Sequence, residues 1–119
     1  MRASSFHDTA PVDVPAPQPR YLNAAVVGTT TLAPRALLEA LLAIEKRFGR
    51  ERAHQHAPRT LDLDLIFYGG EVLNEPGLDV PHPRFRERAF VLEPLAELAP
   101  AMKDPVTGRS VAELLGRLQ

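Results

Sequence analysis

From Leu61 to Leu65 apolar and acidic residues alternate without a break, Leu-Asp-Leu-Asp-Leu, and the run then turns wholly apolar at Ile66 and Phe67. A period of two predicts a strand with one wet face and one core face, and it puts Asp62 and Asp64 side by side on the wet face. Tyr21–Thr31 is rich in β-branched residues and alternates loosely, which predicts a second strand, and Ser4–Thr9 predicts a short one. Between these two, Pro11, Pro15, Pro17 and Pro19 require an extended loop. A helical period appears once Pro34 has opened the first turn: Leu37, Leu41, Ile44 and Phe48 form a stripe, widened by Leu38 and Leu42, and Gly49 closes it. That stripe reads as core, and Glu45, close to its edge, reads as facing solvent, against pointing toward a site. After the acidic strand, Gly69-Gly70 predicts a tight turn and Glu71-Val72-Leu73 a returning strand, ended by Pro76 and Gly77. Val91–Leu98 predicts a short helix around Pro94. Ser110 with Glu113 predicts a capping box ahead of a last helix that buries Val111, Leu114, Leu115 and Leu118.

Composition narrows the picture. At 119 residues, 45% hydrophobic and 24% charged, the chain suits one globular domain. A formal net charge of −1 gives no global attraction to nucleic acid or to an acidic membrane, so an anion site has to be local. Without cysteine there is neither a disulfide frame nor a thiolate metal site, which fits a reducing cytoplasm. No apolar run reaches membrane-spanning length, since Glu39 and Glu45 interrupt the most apolar segment, and the first residues hold no apolar signal core. The expected location is the cytoplasm.

Three stretches carry candidate chemistry. Asp62 and Asp64 on one strand face offer hard oxygen ligands suited to Mg²⁺, which takes one or two carboxylates and completes its shell with water and phosphate oxygens. Without a ligand, the same pair merely solubilises an exposed strand. Arg59, just ahead, suits the phosphates of such a ligand. Gly49–His56 contains two arginines and two histidines in a spacing unlike that of a zinc site; it is a basic loop facing an anion or a plain surface loop. Val80-Pro81-His82-Pro83 followed by Arg84, Arg86 and Arg88 reads as a phosphate-recognition turn, against a simple basic surface turn.

These stretches, Pro58-Arg59-Thr60-Leu61-Asp62-Leu63-Asp64-Leu65, then Val80-Pro81-His82-Pro83 with Arg88-Ala89-Phe90-Val91-Leu92, closely resemble the 6-hydroxymethyl-7,8-dihydropterin pyrophosphokinase family of folate biosynthesis. Tyr21-Leu22-Asn23-Ala24 and Ser4-Ser5-Phe6 with Thr9 fit the same family in the same order. The resemblance implies an α+β fold, a ferredoxin-like sandwich of mainly antiparallel sheet with helices packed on it. It implies transfer of pyrophosphate from ATP to the hydroxymethyl oxygen of the pterin, releasing AMP. Asp62 and Asp64 would hold two Mg²⁺ ions on the ATP phosphates. Arg50 and Arg59 would serve catalysis, and Arg52, His82 and Arg88 would clamp phosphates. Tyr21, Asn23 and Phe90 would line the pterin site, and Glu45 matches an acidic residue near it. The expected partners are ATP and the pterin alone, with no nucleic acid and no membrane, and the family is expected to be monomeric.

The chain departs from the family pattern in three places. Gln55-His56 stands where many members have Arg-Trp, and Gly77 and Asp79 stand where some relatives have groups that assist ATP. The family's opening strand, Gly-Ser-Asn turn and long helix have no counterpart, since Met1 falls just ahead of its second strand. The domain is therefore expected to be incomplete at its N-terminus: a chain cut short, or a remnant that pairs with another chain through an open edge. Two other functions compete with the pyrophosphokinase. One is a non-catalytic remnant that binds nucleotide weakly or acts as an assembly module. The other is a nucleotidyltransferase, which would want a Gly-Ser pair ahead of the acidic strand and a further carboxylate strand, and neither is present.

Overall fold

The structure, a computed structural model, describes residues 1–9, 21–49 and 61–119. In chain order the elements are β1 (Arg2–Ala3), β2 (His7–Thr9), β3 (Tyr21–Asn23), β4 (Val26–Val27), α1 (Pro34–Gly49), β5 (Leu73–Glu75), β6 (Leu78–Val80), a 3₁₀ turn (Phe85–Glu87), α2 (Ala89–Leu98) and α3 (Val111–Leu118). Every strand pair is antiparallel, and helices and strands alternate irregularly, so the class is α+β. The described residues form three two-stranded ladders, β1–β4, β2–β3 and β5–β6, in place of one expected sheet. They belong to two compact units: Met1–Thr29 with Pro83–Gln119, and Thr30–His82.

In the first unit, His7 lies opposite Asn23 and Thr9 opposite Tyr21, while Ala3 lies opposite Val26. The expected single strand over Tyr21–Thr31 is thus broken into β3 and β4, and the strand expected from Ser4 begins only at His7. Ser4 explains the interruption. Its amide donates to the Ala25 carbonyl at 2.8 Å, and its hydroxyl accepts from the Ala25 amide at 2.8 Å, so a side chain replaces one rung of the ladder. Helix α2 packs against β2, β3 and β4 on one side and against α3 and the 3₁₀ turn on the other. Phe85, Leu92, Pro94, Leu95, Val111 and Leu114 are the buried side chains between these elements.

Helix α3 starts as its sequence predicts. The Ser110 hydroxyl accepts from the Glu113 amide and the Glu113 carboxylate accepts from the Ser110 amide, both at 3.1 Å. Val111 and Leu114 are buried and Leu115 half-buried, but Leu118, in the last turn, is exposed.

In the second unit α1 spans the predicted residues, with Lys46 and Arg47 in its last turn, where cations suit the helix dipole. Leu37, Leu38 and Leu41 are half-buried, whereas Leu42, Ile44 and Phe48 are exposed, so only part of the expected stripe is core. The hairpin is displaced from its expected place. Gly69-Gly70 does form a turn, closed by the Glu71 amide donating to the Tyr68 carbonyl, but β5 and β6 pair around Pro76-Gly77. Proline followed by glycine at φ +75° matches the demands of a type II turn between β5 and β6. Leu78 and Val80 are buried, and Arg35 of α1 ties the hairpin down by donating to the Pro76 carbonyl and the Glu75 carboxylate, each at 3.0 Å.

Candidate functional site

Residues 61–68 carry no regular secondary structure, so the expected acidic strand is not formed among the described residues. A strand exists only through its ladder, and these residues find other partners. The Leu63 amide donates to Oε2 of Glu45 in α1, and the Ile66 carbonyl accepts from the His82 amide at 2.9 Å. Further along, the Tyr68 hydroxyl donates to the Leu32 carbonyl. The alternation itself survives: Leu61, Leu63 and Leu65 are half-buried, and Asp62 and Asp64 are exposed. The two carboxylates therefore stand on the wet side of a segment whose apolar side is covered, as the sequence pattern requires.

This unit also brings His82 alongside. Its backbone bond to Ile66 fixes it next to the segment that carries the two acids. Glu45 does not face solvent as expected; it is half-buried and committed to Leu63. A helix-edge glutamate with no apolar contact to make has no sequence mark that distinguishes those two outcomes.

The donor set has a definite chemistry. Among the described residues no three His, Cys, Asp or Glu side chains gather to enclose a metal ion. Two exposed carboxylates, with no third such ligand gathered to them among the described residues, suit a hard cation that keeps several waters and takes its remaining ligands from phosphate, which is the habit of Mg²⁺ and not of Zn²⁺.

The other unit holds the remaining described candidates. Arg88 precedes α2 as its N-cap, with its carbonyl accepting from the Val91 and Leu92 amides at 3.0 Å. Its guanidinium lies 5.6 Å from the centre of the Phe90 ring, within cation–π range. Phe90 is 38% exposed, a large ring at a helix start with a face available for contact. Asn23 closes β3 opposite His7, and β3 packs on α2, so Asn23 and Phe90 sit on neighbouring elements. Tyr21 lies on the same strand, paired with Thr9. Arg50, Arg52 and Arg59 lie outside the described residues, as does the Gln55-His56 departure.

The three arginines after His82 are not equivalent. Arg86 is committed within the protein: its Nε and Nη2 donate to Oδ2 and Oδ1 of Asp104, while its Cζ lies 4.7 Å from the Phe85 ring centre. Asp104 is fully buried and also accepts from the Val106 amide and the Thr107 hydroxyl. The Arg86 hydrogen bonds, with those from Thr107 and Val106, hold the Asp104 carboxyl down at about 2. Sequence reading passed over this aspartate, although Asp104-Pro105-Val106-Thr107-Gly108 has the composition of an Asx turn, with Gly108 at φ +74°. Glu97 was passed over too. It accepts from the Ser5 hydroxyl at 2.6 Å and the Ser5 amide at 2.7 Å, and meets His7 Nε2 at 3.0 Å. The Ser5 bonds first, then His7, lower its carboxyl to about 2. It fastens α2 to the segment leading into β2.

Comparison with known proteins gives the family. A family model for 7,8-dihydro-6-hydroxymethylpterin-pyrophosphokinase matches residues 1–100. The chain belongs to that family. It is similar to the 2-amino-4-hydroxy-6-hydroxymethyldihydropteridine pyrophosphokinase of Synechocystis sp., with 50% identity over 99 residues, 83% of this chain and 51% of the relative. The pyrophosphokinase of the same name from Pseudomonas aeruginosa is 50% identical over 101 residues, 85% of this chain and 62% of the relative. A mitochondrial folate synthesis bifunctional protein of Arabidopsis thaliana is 48% identical over 97 residues, which make up 82% of this chain and 17% of that one. The chain thus spans about half to three-fifths of the two bacterial relatives it matches.

Proposed function

We propose that this chain takes part in transferring pyrophosphate from ATP to 6-hydroxymethyl-7,8-dihydropterin, giving AMP and the pterin diphosphate, a step of folate biosynthesis carried out in the cytoplasm. The observation that carries this reading is the exposed Asp62–Asp64 pair, within a family match that covers residues 1–100. The relatives' names state the same phosphoryl chemistry.

In the reaction, the pterin hydroxymethyl oxygen attacks the β-phosphorus of ATP. The bond from that phosphorus to the oxygen bridging to the α-phosphate breaks, AMP departs, and the hydroxyl proton passes to solvent. Asp62 and Asp64 would hold two Mg²⁺ ions, which supply charge neutralisation at the phosphates when bound. His82, beside the acidic segment, would donate to a phosphate oxygen. Arg88 would do the same with a planar, permanently charged fork. Arg50, Arg52 and Arg59 complete the cationic set in this reading. Asn23 would hydrogen-bond the polar edge of the pterin, and Phe90 and Tyr21 would pack on its flat ring. The work done by these side chains is positioning and electrostatics, with no covalent intermediate on the protein. The antiparallel β2–β3 pair with α2 packed on it supports a ferredoxin-like layering. The active form is a monomer in this reading.

The test is direct. ATP, the pterin and Mg²⁺ are incubated with the 119-residue chain, and AMP is measured by chromatography. AMP and pterin diphosphate should form in equal amounts, and Asp62→Ala with Asp64→Ala should abolish both. Turnover unchanged by that double substitution would refute the mechanism. Nucleotide binding without AMP formation would favour a binding remnant over the enzyme.

A further inference from the structure

We infer that Glu45 is a positioning residue for the Asp62–Asp64 pair: its carboxylate fixes the peptide between the two acids without itself ligating the cation, an inference that rests on reading the pair as the magnesium site.

An extended segment normally has its direction and pleat set by a ladder, and residues 61–68 have no ladder among the described residues. Its amide groups must be satisfied singly. The amide of Leu63, the one residue between the two aspartates, donates to Oε2 of Glu45, eighteen positions earlier on a 16-residue helix. The bond joins the most regular element of this unit to the midpoint of the acidic pair. A hydrogen bond to a charged acceptor is stronger than one to a neutral acceptor. It restrains the peptide planes on both sides of Leu63, and with them the directions in which Asp62 and Asp64 leave the backbone.

Two observations separate this role from that of a third ligand. No group of three metal-ligating side chains exists among the described residues, so Glu45 does not join the two aspartates around one ion. Its Oε2 is already committed to an N–H donor, and Glu45 is half-buried whereas Asp62 and Asp64 are exposed. Groups behind a metal's ligands that hold their orientation typically matter by 10–100-fold in affinity.

The experiment uses the full 119-residue chain with Mn²⁺ as the spectroscopic substitute for Mg²⁺ and a nonhydrolysable ATP analogue, read by electron paramagnetic resonance. Glu45→Ala should weaken Mn²⁺ binding about 10–100-fold. Glu45→Gln keeps an acceptor oxygen in place without the charge and should lose much less. A metal-free readout accompanies it: hydrogen exchange at the Leu63 amide should quicken about tenfold or more in Glu45→Ala, while the α3 amides keep their protection and report an intact fold. Unchanged Leu63 exchange in that variant would overturn the inference, whatever the metal does. So would a loss in Glu45→Gln as large as in Glu45→Ala, which would assign the effect to charge and not to position. If Asp62→Asn with Asp64→Asn bound Mn²⁺ as the unaltered chain does, while Leu63 exchange still responded to Glu45→Ala, the metal reading of the pair would fail and the inference with it, although the Glu45–Leu63 contact would stand.

Discussion

Arg86 and Asp104 form a two-point ion pair across eighteen residues of sequence, Nε to Oδ2 and Nη2 to Oδ1, with the aspartate fully buried. Both Asp104 oxygens carry a second hydrogen bond, from Val106 and Thr107, so no acceptor is left stranded in the interior. The pair joins the 3₁₀ turn preceding α2 to the loop preceding α3, and Phe85, next to Arg86, is buried beneath it.

Breaking this pair from one side leaves a buried charge without its partner. Arg86→Ala, which strands the fully buried Asp104 carboxylate, should lower the unfolding free energy by about 3–5 kcal/mol in urea titration. The exposed pair of Arg35 and Glu75, at 44% and 50% side-chain exposure, offers the contrast. Water screens it, and Glu75→Ala should cost less than about 1 kcal/mol. Equal losses in the two variants would contradict the burial argument.

The same carboxylate sets an acid limit on stability. Asp104 and Glu97 both titrate at about 2 in the folded chain, against ordinary values of 3.8 and 4.5. A carboxyl depressed by folding contributes stability that is complete above its unfolded value and lost as pH falls toward the folded one. Stability should therefore hold down to about pH 5 and decline between there and about pH 2. Asp104→Asn should flatten that decline while lowering stability at neutral pH, as seen in urea unfolding repeated across the acid range. Glu97→Gln should flatten it too, because the group that titrates between those values is gone.

At the last helix, Ser110→Ala removes one half of the capping box and leaves the Glu113 amide without its acceptor. A cost of about 1 kcal/mol is expected, and Ser110→Asp should restore most of it. Urea midpoints of the three chains decide the point.

Phe90 tests the substrate side of the proposal. Phe90→Ala removes both the ring proposed to face the pterin and the cation–π partner of Arg88. Stacking on a flat heterocycle is worth about 1–3 kcal/mol, so pterin affinity, followed by its intrinsic fluorescence, should fall at least several-fold. Affinity equal to that of the unaltered chain would remove Phe90 from the site.

What the sequence made legible was what local chemistry decides. Pro34, Gly49, Ser110 and Glu113 act within their own turn: α1 begins and ends, and α3 begins, where those residues place them. The α+β class followed from the family resemblance. Ladder formation depends on distant partners, which is why Leu61–Leu65 kept its alternation without becoming a strand. Two turn signals, Gly69-Gly70 and Pro76-Gly77, competed for one hairpin, and the choice rests on burial of Leu78 and Val80. Among Arg84, Arg86 and Arg88, nothing in the local sequence separates an arginine that faces outward from one committed to an aspartate eighteen residues on. The partner of Glu45 was illegible for the same reason: it is a backbone amide, which no residue type announces.

The central claim is that Asp62 and Asp64 grip divalent cations that carry a nucleotide triphosphate. Heteronuclear NMR of the full chain, titrated with Mg²⁺ and a nonhydrolysable ATP analogue, tests it most directly. The account predicts that the Asp62, Leu63 and Asp64 amide resonances shift strongly when both are present and little with either alone. Resonances unmoved by the two together would contradict it.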